Sequence, residues 1–311
     1  MKPDPNATPA QLFDRALIAR RRARAAAAFG AHDFLVRHAA ADIAARLTDI
    51  NRNFPLALDL GCHHGAITNK DVPPGKIGTL IHADLSPAMV AHASGIRLAA
   101  DEEALPFRAE SFHLIASALS LHGVNDLPGT LIQIHRALKP DGLFIAALFG
   151  GETLTELRQA FMAAEIECDG GLSPRVSPFA DLRDLGHLLQ RAGFALPVAD
   201  ADKLTVTYAT PLDLMRELRG MGETSALADR RRTPLKRRTL MRAAEIYQQR
   251  FGLGNGRIPA TFEIIYLAGW APHGSQQKPL RPGSAQARLA DALNTTERSK
   301  PPQPGNTLAT P

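Results

Sequence analysis

Three short runs of this chain end in a carboxylate: Asp59 closes "LALD", Asp84 closes "TLIHAD" and Asp101 closes "IRLAAD". The first is followed at once by Gly61, Cys62, His63, His64 and Gly65. In an open parallel sheet, ligands gather beyond the carboxyl ends of the strands, where the strand order reverses. There Asp84 can accept hydrogen bonds from both hydroxyls of a ribose, and Asp101 from an adenine amino group. Gly61 and Gly65 allow a tight turn with close backbone approach, and a helix after the loop would offer free N–H groups to a carboxylate. Carboxylates at three successive strand ends suit a nucleoside.

Two other occupants compete for the loop. A dinucleotide wants G-x-G-x-x-G, and here His63 stands where the second glycine belongs, at a position where positive φ is uncommon for histidine. A metal would draw on Cys62, His63 and His64, but adjacent side chains diverge, and no ligand pair at finger spacing occurs elsewhere. No metal is expected, and Cys62 is expected to pack behind the loop.

The elements that must position these groups alternate. "LALDL", "TLIHADL", "IRLAAD", "FHLIASALSL" and "GLFIAALF" read as strands separated by amphipathic helices such as "DLPGTLIQIHRALK", which means βαβ units and a parallel sheet covered on both faces. Gly193 is a helix stop. "FALPVADADKLTVTY" and "ATFEIIYLAGW" alternate as two more strands, with helical pattern between them. The expected fold is α/β: a seven-stranded, mostly parallel Rossmann-like sheet with helices on both faces and a small helical cap inserted before the last strand. The expected organisation is a disordered start (1–10), a basic helical region (11–54), a core (55–208), the cap (209–259), the final core strand (260–272) and a disordered tail (273–311).

Composition sets outer bounds. Of 311 residues, 45% are hydrophobic and 22% charged, ordinary for a soluble protein, and no apolar run is long enough to span a bilayer. The first thirty residues lack the apolar core of a secretory signal. Two cysteines, Cys62 and Cys168, suit a reducing compartment, so the expected location is the bacterial cytoplasm. The net charge of +5 is concentrated in arginines at 15–24 and 230–238. These are either a solvated helix face or an attraction for an acidic protein or anionic headgroups, which would bring the chain to the inner face of the membrane. Nucleic acid is not an expected partner, since aromatics are only 5% of the chain and none is interleaved with the arginines.

The loop, together with the D-x-x-x-L-P-F run at Asp101, resembles the S-adenosylmethionine site of class I methyltransferases (methyltransferase type 11). "LFDRAL", "NFPLALDLGC", "LSLHGVNDLP", "FGGETLTELR", "SPRVSPF", "GMGE" and "PATFEIIYLAGW" further resemble the mitochondrial complex I assembly factor five family, regarded as protein-arginine hydroxylases. More distantly, the chain is similar to the malonyl-carrier-protein O-methyltransferase of biotin synthesis. The resemblance implies S-adenosylmethionine as cofactor, held by Asp59, Gly61, Cys62, Gly65 and Asp84, with Leu85, Asp101, Glu102 and Ser117 completing the site. It implies a complex I subunit as the protein substrate, modified by methyl transfer or arginine hydroxylation. A small-molecule or carrier-protein O-methyltransferase and a non-catalytic assembly chaperone stay open as alternatives. Gly123 stands where both families commonly carry Trp, which implies a wider pocket.

Methyl transfer from a sulfonium needs positioning more than covalent help, so the lack of a nucleophile or triad does not argue against an enzyme. Ser120, His122, Asn125 and Asp126 follow the fourth strand and are expected to face the reacting group. His122 is the candidate general base; equally, it packs on the next helix while Asp126 caps it. Glu152 could meet a cationic substrate or favour its own helix N-terminus. Arg175 could bind an anion at the same rim, in a segment, "GLSPRVSPF", that could form a lid. Tyr208 and Tyr266 read as core.

Overall fold

The computed structural model describes residues 11–277; the readings of 1–10 and of the tail beyond 277 lie outside them. Seven strands, β1 (Phe54–Leu60), β2 (Ile77–Asp84), β3 (Ile96–Ala99), β4 (Phe112–Ala118), β5 (Leu138–Phe149), β6 (Ala195–Tyr208) and β7 (Ile258–Trp270), form one sheet in the order β3-β2-β1-β4-β5-β7-β6. β1 to β5 pair in parallel, while β7 runs antiparallel to both β5 and β6. The order reverses at β1, between β2 and β4, so the carboxyl ends of these strands open onto one cleft. The expected α/β fold is the observed one.

Strand chemistry follows position. The second half of β5 is continuously apolar and buried, and β4 is buried except at His113, because both faces are covered. Edge strand β6 instead alternates and carries Asp200, Asp202 and Lys203, charges that discourage pairing with another chain. One face is covered by α2 (Phe34–Asp49), α5 (Thr155–Asp169) and α8 (Arg237–Phe251), which pack on Leu114, Leu143 and Ile145. The other carries α4 (Leu127–Ala137) and α6 (Leu182–Arg191) on Ile115, Phe144 and Ala146. In α4 and α6, Leu131, Ile134, Leu185 and Leu189 are fully enclosed, each contributing about 1.5–3 kcal/mol over an exposed position. The helix α6 ends where expected, with Gly193 at φ +90°.

Three short pieces surround the cleft: α1 (Arg15–Ala25), α3 (Pro87–Val90) and α7 (Pro211–Gly220). Of the helices between β6 and β7, α7 touches α1, whereas α8 lies along α5 and β7. Tyr266 is core, its hydroxyl donating to Asp42 Oδ2 at 2.6 Å. The helix expected after the first loop is absent: from Gly61 to Lys76 the chain makes only turns. Asn69, Asp71, Pro73, Pro74 and Gly75 favour turns over helix, and Thr68 Oγ1 donates to Asp71 Oδ2 at 2.6 Å to close one of them. The free N–H groups anticipated there are therefore not supplied by a helix. No helix among the described residues is long and apolar enough to cross a membrane.

Candidate active site

At the end of β1, Asp59 is fully buried beside His82, with Oδ2 3.0 Å from Nδ1 and Oδ1 without a partner. Gly61 turns at φ +67°, and a Cβ there would fall 2.0 Å from Ser120 Oγ, so only glycine fits. His63 does adopt a positive φ, +52°. Its strain is offset: its N–H donates to Asp84 Oδ2 at 3.0 Å, its ring stacks on Phe29, and Nε2 lies 3.2 Å from the carbonyls of Ala118 and Leu119. Burial, aided by the charge of Arg22, lowers its pKa to about 3, so the ring is neutral. Cys62 packs behind the loop on Val90 and Ala93. Its ligand-capable neighbours are Asp59 and His82, all three atoms lying within 4.8 Å of one another, rather than the adjacent histidines; His64 turns outward to stack on His92. Burial and then the charges of Asp59 and Asp84 push the Cys62 thiol up.

The centre of the cleft is an ionic cluster that strand-end reasoning missed. Arg22, 3% exposed, points its guanidinium at Asp84 Oδ2 (3.2 Å), Glu102 Oε1 (3.3 Å) and Ser120 Oγ (3.0 Å). Asp84 also accepts from the Ser86 N–H at 2.8 Å, and Glu102 from Ser120 Oγ at 2.6 Å. Arg15, two turns earlier on the same face of α1, bonds Asp101 Oδ1 at 2.6 Å, Glu102 Oε2 and the Gly123 carbonyl. Burial works against charge on Arg22, but Asp84 and Glu102 outweigh it and raise its pKa. Burial likewise opposes charge on Glu102, and Arg22 with Arg15 holds its carboxyl below the usual range. For Asp84 burial prevails and the pKa is raised. Of the three acids after β3, Glu102 is the one fully buried in the cleft, while the Asp101 and Glu103 side chains are 36% and 25% exposed.

These residues fit a nucleoside by position. Asp84 ends β2, Gly61 admits close backbone approach, half-buried Leu85 follows Asp84, and both Asp59 Oδ1 and Ser117 Oγ are buried without partners. Gly65, at φ +78°, closes the turn through its N–H to the Cys62 carbonyl at 2.7 Å. The acceptors of Asp84, Asp101 and Glu102 are engaged by α1, so a ligand donating to them must exchange with the guanidinium groups of Arg15 and Arg22.

Next to the cluster lies a cavity of about 220 Å³, walled by Phe13, Ile18, Leu157, Phe161, Phe179 and Met215, with Gly123 on its lining. A Cβ on Gly123 would meet only Ile18, at 3.4 Å. His122 faces this cavity between Phe149 and Phe179, its Nε2 3.1 Å from Glu223 Oε2 and its Nδ1 without a partner. Burial opposes charge on Glu223, but His122 outweighs it and keeps the carboxyl low. Glu223 lies in the Gly-Met-Gly-Glu run noted above, where the sequence carried no sign of its role. Residues 175–177 and Phe179, from the segment expected as a lid, wall the same cavity.

The other expected catalytic residues are elsewhere. Asp126 is the N-cap of α4, accepting from the Gly129 N–H at 2.8 Å. Asp126→Ala should therefore cost about 1 kcal/mol, read by denaturant unfolding, and leave ligand affinity unchanged. Asn125 clamps the backbone of Phe13, accepting from its N–H at 2.7 Å and donating to its carbonyl at 3.2 Å. Glu152 is exposed and pairs with Lys203 at 2.8 Å; the turn before α5 directs it away from the cavity, and Leu154 holds the N-cap position. Arg175 is paired with Glu165 at 2.7 Å.

The sheet order and the strand-end acids define a class I methyltransferase fold. Residues 58–146 match a family described as Methyltransferase domain. Among solved structures, a Bacillus halodurans methyltransferase-like protein aligns with TM-score 0.51 at 15% identity, covering 75% of this chain and 99% of that one. The YcgJ protein of Bacillus subtilis aligns with TM-score 0.51 at 17% identity, covering 76% and 100%. Within that class, the chain is 42% identical to the mitochondrial arginine-hydroxylase NDUFAF5 of Danio rerio over 90% of its own length and 89% of the relative's. It is 45% identical to the Homo sapiens protein over 83% and 76%. A malonyl-[acyl-carrier protein] O-methyltransferase of Halorhodospira halophila is 34% identical over 86% and 92%. The chain belongs to the arginine-hydroxylase NDUFAF5 family.

Proposed function

We propose that this chain is an S-adenosylmethionine-binding enzyme that modifies an arginine of a protein subunit during assembly of respiratory complex I, by hydroxylation or by methyl transfer. What carries the reading is the likeness to arginine-hydroxylases over nine-tenths of the chain. The site supports it with a cavity holding the His122–Glu223 pair next to the strand-end carboxylates. The bound cofactor supplies an electrophilic methyl group; hydroxylation would draw instead on dioxygen and a two-electron reductant, leaving water. In either case Asp84 and Glu102 orient the nucleoside, the apolar wall excludes water, and Glu223 fixes the ring of His122 by accepting from Nε2–H, which leaves the unpartnered Nδ1 to take up a proton. The same reading assigns the chain to the cytoplasm, or to the inner face of the membrane where complex I is built.

Isothermal titration of S-adenosylmethionine into the wild type and Asp84→Ala tests the cofactor. Binding to the wild type that is lost in a folded variant supports the reading, whereas no binding to well-folded wild type overturns it. Mass spectrometry of complex I subunits from a deletion strain then distinguishes a missing oxygen from a missing methyl group. A second reading, a non-catalytic assembly factor, is favoured by the occupation of the carboxylates by Arg15 and Arg22. It predicts that Asp84→Ala still restores complex I assembly.

A further inference from the structure

Two arginine-rich segments far apart in sequence meet beside the cavity. Arg20, Arg21 and Arg24 of α1 face Arg230, Arg231 and Arg232 across a concave basin of about 810 Å³. Arg175 and Arg219 stand on its wall, and these two, with Thr224 and Ser225, also line the apolar cavity. Among the described residues only one acid lines the basin, Asp14, and it is engaged by Arg230 at 3.2 Å. Among the described residues, Arg20, Arg24, Arg219 and Arg232 have no ion-pair partner. Arg21 donates to the carbonyls of Thr224 and Ser225, and burial together with the charges of Arg230 and Arg24 lowers its pKa. Like charges are thus held together by the fold, a repulsion that an anion relieves.

Shape and count narrow the anion. The guanidinium forks suit carboxylates bidentately, and they converge into a hollow instead of spreading over a flat face as a bilayer surface would require. Of the eight arginines, Arg175, Arg230 and Arg231 are held by Glu165, Asp14 and Asp169, and the four unpaired guanidiniums still offer more N–H donors than the oxygens of one phosphate can accept. A peptide with several carboxylates along its length matches both features. We propose that the basin docks an acidic segment of the protein that this enzyme modifies, so that the adjoining residue enters the cavity toward His122. This rests on the protein-substrate reading above.

Fluorescence polarisation with a labelled glutamate–alanine peptide, and with its glutamine–alanine counterpart, tests the proposal on the full chain. Arg24 and Arg232 are exposed and unpaired, so Arg24→Glu with Arg232→Glu leaves the fold intact. The expected result is binding of the glutamate peptide alone, weakening with salt and falling by at least about tenfold in the double variant. Equal binding of both peptides, or an unchanged affinity in the variant, overturns it. Failure to bind the peptide while sedimenting with phosphatidylglycerol vesicles also overturns it and assigns the basin to a membrane. Because binding and not product is read, a chain that binds the peptide and modifies nothing refutes the reaction while the docking site stands.

Discussion

Replacing Arg22 with methionine is expected to destabilise the protein by about 3–5 kcal/mol near neutral pH, and by less at about pH 4, below the unfolded value of Glu102. The guanidinium is enclosed between Asp84 and Glu102, and methionine fills its volume without its charge. Glu102 has a depressed folded pKa, so in the wild type it contributes stability that is present above the unfolded value of about 4.3 and lost as pH falls through the folded value. The variant forfeits the Arg22 share of that contribution; Arg15 still holds one oxygen of Glu102. Asp84, already raised by burial, rises further. A carboxyl with a raised folded pKa costs stability at neutral pH and gives it back as pH falls through that value, so the deficit shrinks on acidification. Denaturant unfolding at the two pH values checks this, and a deficit equal at both would refute it. The same variant releases the acceptors of Asp84, so its titration with S-adenosylmethionine should show binding at least as tight as wild type.

Gly61→Ala should lose about 2–5 kcal/mol, the sum of a left-handed backbone for an L-residue, about 1–2 kcal/mol, and overpacking, about 1–3 kcal/mol. The new methyl would lie 2.0 Å from Ser120 Oγ and 2.2 Å from its Cβ. Ser120 cannot give way without breaking its bonds to Glu102 and Arg22. In a Ser120→Gly background the nearest remaining atom is Glu102 Oε1 at 3.2 Å, so the loss should fall toward the backbone term of about 1–2 kcal/mol. If the two backgrounds give equal losses in thermal or denaturant unfolding, Ser120 is not the obstacle.

What could be read from sequence was local. Strands β1, β2, β4 and β5 are short apolar runs with clear ends, Asp126 sits one residue before an amphipathic helix, and the Gly61 turn is marked by its own residue type. Pairings across long separations left no such mark. Arg22 and Arg15 looked like part of a solvated basic helix because nothing within α1 shows that their partners lie beyond β2 and β3. Glu102 beside Asp101 could not be ranked until the chain after β3 turned one inward and left the other half-exposed. Glu152 stood open between a cationic substrate and its own helix N-terminus, because the left-handed turn at Leu154 has no signature in the run "GGETLT". The missing helix after β1 is marked by its prolines and turn residues, but the alternation of strands and helices argues the other way.

The ionic cluster in the cleft also fixes an order of events during synthesis. Arg22 emerges from the ribosome 62 residues before Asp84 and 80 before Glu102, while an eleven-residue helix such as α1 is marginal by itself. The amino-terminal segment must therefore wait, cationic and unpaired, until three strands have assembled downstream. Its docking closes long loops and belongs to the late, slow part of folding. A nascent chain halted before residue 102 would present those arginines to any acidic surface nearby.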